Sequence, residues 1–186
     1  ASLHDITGLL QPFAPNLAAR LDKAAASPGP ARLKLALDLA KDPAGADRAL
    51  AKAVLDLEAP QLKASTTLAA KPAASALRNF DLDAISRSDL GLETRISAEQ
   101  GNLLLALLGL DRVVAASNGP ALLDATINGN WRAPLRVTAK IAGAGLDGEV
   151  QGTVESSSGS WSIAAPDLLK ANLNLRVRHA NLAPIA

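Results

Sequence analysis

The residues with the most explicit chemical meaning are Gly143-Ala144-Gly145-Leu146-Asp147-Gly148, which match the G-x-G-x-x-G pattern of dinucleotide sites. That chemistry requires a helix to begin at the glycines, so that its free N–H groups meet the pyrophosphate. Here Glu149 to Glu155 alternate polar and apolar as a strand does, so the glycines read as a hairpin turn. His4 and His179 lie at opposite ends of the chain. A metal site would have to take most of its ligands from carboxylates, and no cluster presents them. Both histidines read as surface or boundary residues. Ser156-Ser157-Ser158-Gly159-Ser160 has no G-x-S-x-G elbow and no neighbouring His, and reads as a loop. Asp81 and Asp83 sit in a short polar stretch with no partner that would raise a pKa. Trp131 is expected to pin a turn against the elements around it. We therefore expect no enzyme, no metal and no cofactor.

Composition narrows the partners. Lys and Arg total 19 and Asp and Glu total 18, so the net charge is +1. That balance gives no electrostatic footprint for nucleic acid or an anionic membrane surface. Aromatics make up 2% of the chain, which removes stacking platforms for bases. Cysteine is absent, so there are no disulfides or thiolates. Ala and Leu account for 72 of the 186 residues, 39 and 33 respectively, so the apolar content is almost wholly aliphatic. No uncharged apolar stretch approaches the ~18–20 residues that span a bilayer. The most hydrophobic window, Leu103 to Leu110, is closed by Asp111 and Arg112.

Period-two alternation is the dominant pattern. It runs through Leu33, Leu35, Leu37 and Leu39, through Leu55 and Leu57, and through Leu62, Ala64, Thr66 and Leu68. It resumes through Leu135, Val137, Ala139 and Ile141, then Leu146, Val150 and Val154, then Leu173, Leu175 and Val177. These runs are apolar on one face only, which predicts an antiparallel sheet with one wet face. Ala59-Pro60, Trp131-Arg132-Ala133-Pro134 and Gly143-Ala144-Gly145 separate successive runs as turns do in a meander.

Three helices are expected between the strands. One opens at Pro15 with Leu17, Leu21 and Ala24 on one side and stops at Ser27-Pro28. A second runs from Pro72 to about Asn79. The third opens on Ser97-Ala98-Glu99-Gln100, which has the form of a capping box, and continues through Leu103 to Leu108. A helix apolar on nearly all sides must be buried on nearly all sides. The strand face carrying Leu146, Val150 and Val154 is its nearest dry partner. The fold expected is thus α+β: a curved, mostly antiparallel meander sheet with a few helices packed on its apolar face. Residues 1–186 read as one domain. Faint echoes, Ala59–Ala64 against Ala165–Ala171 and His4–Leu9 against His179–Pro184, make it about one repeat of a longer protein.

Four stretches taken together resemble the AsmA family (AsmA/TamB-like) of bacterial envelope proteins. They are SAEQGNLLLALLGL at 97–110, GNWRAPLRV at 129–137, GLDGEVQGTV at 145–154 and KANLNLRV at 170–177. The likeness covers most of residues 90–182 and, less closely, 30–70. It implies a periplasmic segment of a parent protein anchored in the inner membrane of a Gram-negative bacterium. It also implies curved β-sheets with an apolar concave face, and a part in outer-membrane biogenesis that includes phospholipid transfer. It carries over no catalytic residue. The departure is the apolar run 103–110, since a helix filling the concave face would close the groove in this segment.

Two functions follow as expectations. The first is a module that handles phospholipid or other acyl chains on the face bearing Leu135, Val137, Ile141, Leu146, Val150, Val154, Leu173, Leu175 and Val177. The second is a structural or interaction module that docks envelope proteins and has an ordinary filled core. Both predict that thermal melts with EDTA, zinc, NAD or ATP superimpose on the melt of the protein alone. A shift of several degrees with any of them would reveal selective binding to the native state and contradict both.

Overall fold

The computed structural model describes residues 31–42, 47–79, 81, 84, 88–115, 117–130, 133–156 and 169–182. Within them the alternation resolves into eight strands. These are β1 (Arg32–Lys41), β2 (Ala49–Ala59), β3 (Leu62–Ala70), β4 (Asp89–Ala98), β5 (Ala121–Asn130), β6 (Leu135–Gly143), β7 (Leu146–Ser156) and β8 (Leu169–Ala180). Helix α1 (Ala74–Arg78) lies between β3 and β4, and α2 (Gly101–Leu108) between β4 and β5. The sheet order is β1 to β8 without a crossover, and every neighbouring pair is antiparallel. Among the described residues the chain is therefore α+β, an open antiparallel meander with two short helices. The helix expected from Pro15, the turn at Trp131, His4, Asp83 and Ser157–Ser160 lie outside the described residues.

The glycine motif is a hairpin. Ala144 and Gly145 join β6 to β7 with positive φ at both, 57° and 84°. That handedness matches the twist of the strands it joins. The Ala144 methyl is buried, and a Cβ added at Gly101 would fall 2.1 Å from it. Only glycine lets the start of α2 seat against this turn.

The capping box at Ser97 does not form. Ser97 belongs to β4, opposite Lys63 on one side and Leu122 on the other. Leu90, Leu92, Thr94, Ile96 and Ala98 alternate in register with both neighbouring strands, so cross-strand ladders claim the segment. α2 begins four residues later, with an extended Gln100 at its N-cap and no side-chain cap. Its first N–H groups find other acceptors. Gly101 donates to the Gly119 carbonyl at 2.8 Å, and Leu103 donates to Asn102 Oδ1 at 2.8 Å. At the other end Gly109 takes the left-handed conformation, φ 73°, and Leu110 N–H donates to the Leu105 carbonyl at 2.8 Å. The expected second helix is present as α1, shorter than the Pro72–Asn79 span.

The expectation that helices cover the apolar face is also corrected. Leu104, Leu105 and Leu107 form a buried cluster with Leu62, Ala98, Val114, Ala121, Ala144 and Leu146. Its sheet members lie at one end of their strands. Of the strand face expected to shelter α2, Leu146 joins this cluster and Val150 and Val154 do not. The reason is size. An eight-residue helix is about 12 Å long, whereas eight strands spaced about 4.8 Å apart make a sheet about 34 Å across. α1 is shorter still.

Leu105→Ala empties a fully buried site and should cost about 2–5 kcal/mol. Ser97→Ala should change stability by less than about 0.5 kcal/mol, because no helix cap is lost. Urea unfolding of the two variants checks both values. A large loss at Ser97 would return the helix start to that residue.

Candidate functional site

Antiparallel register places directly opposed residues on the same face of a sheet. One line across all eight strands reads Leu35, Leu55, Thr66, Thr94, Ala125, Ala139, Val150, Leu175. The next reads Leu37, Ala53, Leu68, Leu92, Ile127, Val137, Gly152, Leu173. On the other side of the first lies Leu33, Leu57, Ala64, Ile96, Leu123, Ile141, Gly148, Val177. Across these three lines, the only polar side chains are Thr66 and Thr94. They oppose each other, and their hydroxyls hydrogen-bond at 3.2 Å, so neither is left unpaired.

All nine residues expected on the apolar face fall on this one surface, in three environments. Leu135 (2% exposed) and Leu146 are buried, and Ile141 packs against the α2 cluster. Val137, Val150 and Val154 are half-buried. Leu173, Leu175 and Val177 are exposed, Leu175 to 65%. The surface extends beyond these nine residues. Leu37 and Leu39 on β1 are its most open members, Leu37 at 73%, with Leu35 also exposed, and β4 and β5 add Leu92, Ile96, Leu123 and Ile127. For β4 the signal lies in the alternation of Leu90, Leu92, Thr94, Ile96 and Ala98, which runs through the cap-like Ser97.

The opposite face is ionic, and its charges are ordered. Lys34, Asp56, Ser65, Arg95, Asp124, Lys140, Glu149 and Arg176 form one line, each opposite the next. Arg95 Nε donates to Asp124 Oδ1 at 2.6 Å, Ser65 donates to Asp56 Oδ1 at 2.6 Å, and Lys140 Nζ lies 3.9 Å from Glu149. Gln151 also donates to Glu149. The hydrogen bond and then the charge of Asp124 raise the Arg95 pKa above its ordinary value. Arg32, Glu58 and Lys63 alternate in the same way, and Glu155 opposes Lys170. Opposite charges at opposed positions favour this register, while like charges would penalise a slip. A depression of about 400 Å³ lies on this face among Arg32, Lys34, Asp56, Glu58, Lys63 and Arg95.

Among the described residues no group of His, Asp and Glu could hold a metal ion. No described helix is long and apolar enough to cross a membrane. Compared with protein-family models, curated proteins and solved structures, the chain has no match. The open apolar face is the largest surface on which aliphatic side chains meet solvent among the described residues. It has the chemistry of a hydrocarbon surface and no reacting groups.

The two kinds of site on this face should respond differently to charge. Leu37→Lys, at an open position, should change stability by less than about 0.5 kcal/mol. Leu135→Lys places an unpaired cation in a dry site and should cost several kcal/mol or prevent folding. Thermal melts of the two variants check this, and equal effects would contradict the division into open and buried parts.

Proposed function

We propose that this chain is a non-enzymatic, lipid-handling module of an AsmA-like envelope protein, with acyl chains lying on the apolar face of the sheet. The observation that carries the reading is the apolar surface continuous across eight strands, with large aliphatic side chains open to solvent on β1 and β8. Contiguous exposed apolar patches beyond a few hundred Å² mark binding surfaces. The Thr66, Thr94, Ala125, Ala139 line is a trough of small side chains, flanked by Leu68, Leu92, Ile127 and Val137 on one side and by Ile96, Leu123 and Ile141 on the other, and ended by Leu55 and Val150. An acyl chain laid along it would meet aliphatic walls and no unsatisfied polar group. α2 and its cluster lie beyond the Ile96 and Leu123 flank, at one end of the strands, leaving a headgroup to emerge elsewhere. Periplasmic placement, inner-membrane anchoring of the parent and a part in outer-membrane biogenesis rest on the resemblance alone.

A second reading is a structural or protein-interaction module of the envelope. It draws on the α2 cluster, which is an ordinary filled core at one end of the sheet.

Filling the trough separates the two readings. Ala125→Phe and Ala139→Phe add bulk at half-buried positions of the open face. They should weaken binding of the fluorescent fatty acid cis-parinaric acid at least about tenfold, on the scale of 1.4 kcal/mol, with melting little changed. Unchanged binding by folded variants would contradict the lipid-handling reading and favour the second.

A further inference from the structure

β8 ends the sheet, and among the described residues no strand pairs with its outer side. It is twelve residues long, Leu169–Ala180, and every residue from Lys170 to His179 is exposed. Such an edge presents unpaired N–H and C=O groups that template pairing with another chain. Its side chains state which chain. The polar positions carry Lys170, Arg176 and Arg178 and no carboxylate, while Leu173, Leu175 and Val177 continue the apolar face. The charge line across the sheet reaches β8 as Lys140, Glu149, Arg176, so the next strand outward is called on to supply an anion. Glu155 followed by Lys170 repeats that demand six residues away.

We propose that the free edge of β8 docks an extended segment of another polypeptide in which carboxylates alternate with apolar residues. One carboxylate falls opposite Arg176 and a second opposite Lys170. A peptide backbone is required, because only a strand can complete the ladder. The carboxylates set its register, and its apolar positions prolong the open face beside Leu173 and Leu175. A second copy of this chain is a poorer occupant. Its β8 carries no carboxylate and the polar side of its β1 carries one, Asp38, beside Arg32 and Lys34, so neither edge can set two carboxylates opposite Arg176 and Lys170.

The test uses a PEG-tailed peptide of sequence VEVTVTVEV, whose glutamates are six residues apart, with VKVTVTVKV as control. Binding is followed by fluorescence anisotropy and by amide exchange of β8. The acidic peptide should bind and protect β8 amides, and the basic one should not. Arg176→Gln and Lys170→Gln should each weaken it about fivefold, the scale of one opposed charge pair. Neutral replacements avoid setting an acid against Glu149 or Glu155. Lys34→Gln, on the far edge, should have no effect. Equal binding of both peptides, binding that leaves β8 amides unprotected, or an equal loss with Lys34→Gln would overturn the proposal. Self-association of the protein through β8 that excludes the peptide would overturn it as well.

Discussion

The structure depends on one constraint, the fixed registration of eight consecutive antiparallel strands. Side chains alternate between faces with period two, so a slip of one residue anywhere would carry leucines to the ionic side and charges to the apolar side. Both faces favour the same pairing. On one, Leu35, Leu55, Val150 and Leu175 fall on a common line; on the other, Lys34, Asp56, Arg95, Asp124, Lys140, Glu149 and Arg176 alternate in sign wherever two charges meet. Thr66 and Thr94, the two polar residues within the apolar lines, are opposed and satisfy each other. That agreement between packing and charge is what lets a nearly aromatic-free sequence specify a sheet.

Such a sheet separates apolar from polar, and among the described residues no second layer covers the apolar side beyond the reach of the two helices. The buried cluster around Leu104 and Leu105 secures one end of the strands, where Gly101 allows close contact with the Ala144 turn. Beyond that corner the hydrophobic effect remains unsatisfied across Leu35, Leu37, Leu173 and Leu175. On the proposed lipid-handling reading, stability and function are therefore coupled. Leaving this surface open costs burial that would otherwise stabilise the fold, and the same surface is where an apolar ligand gains from leaving water.

Much of the fold was legible from residue order. Leu33–Leu39, Leu135–Ile141 and Leu173–Val177 alternate so regularly that strand and face follow from period alone, and the turns between successive runs give the meander. The hairpin at Gly143–Gly148 was legible because a strand rather than a helix follows it. β4 was not, because Ser97, Glu99 and Gln100 reproduce the local chemistry of a helix start, and only pairing with Lys63 and Leu122 shows that the strand continues through Ser97. Whether the apolar face is open or filled was not legible for a related reason. The apolar run Leu103–Leu108 demands burial, but its short length, which limits how much sheet it can cover, becomes decisive only once the number of strands is known. The charge line was invisible in one dimension, since its members are separated by whole strands and meet only through register.

The most direct test of the open apolar face as the ligand surface is an intermolecular NOE measurement. Perdeuterated protein with protonated alanine, valine and leucine methyls would be mixed with a short-chain phospholipid below its micelle concentration. Acyl-chain protons should show NOEs to the methyls of Ala125, Ala139, Val150 and Leu175, with none to the sealed Leu104 and Leu105. NOEs confined to the α2 cluster, or absent from the sheet face while the protein remains folded, would contradict it.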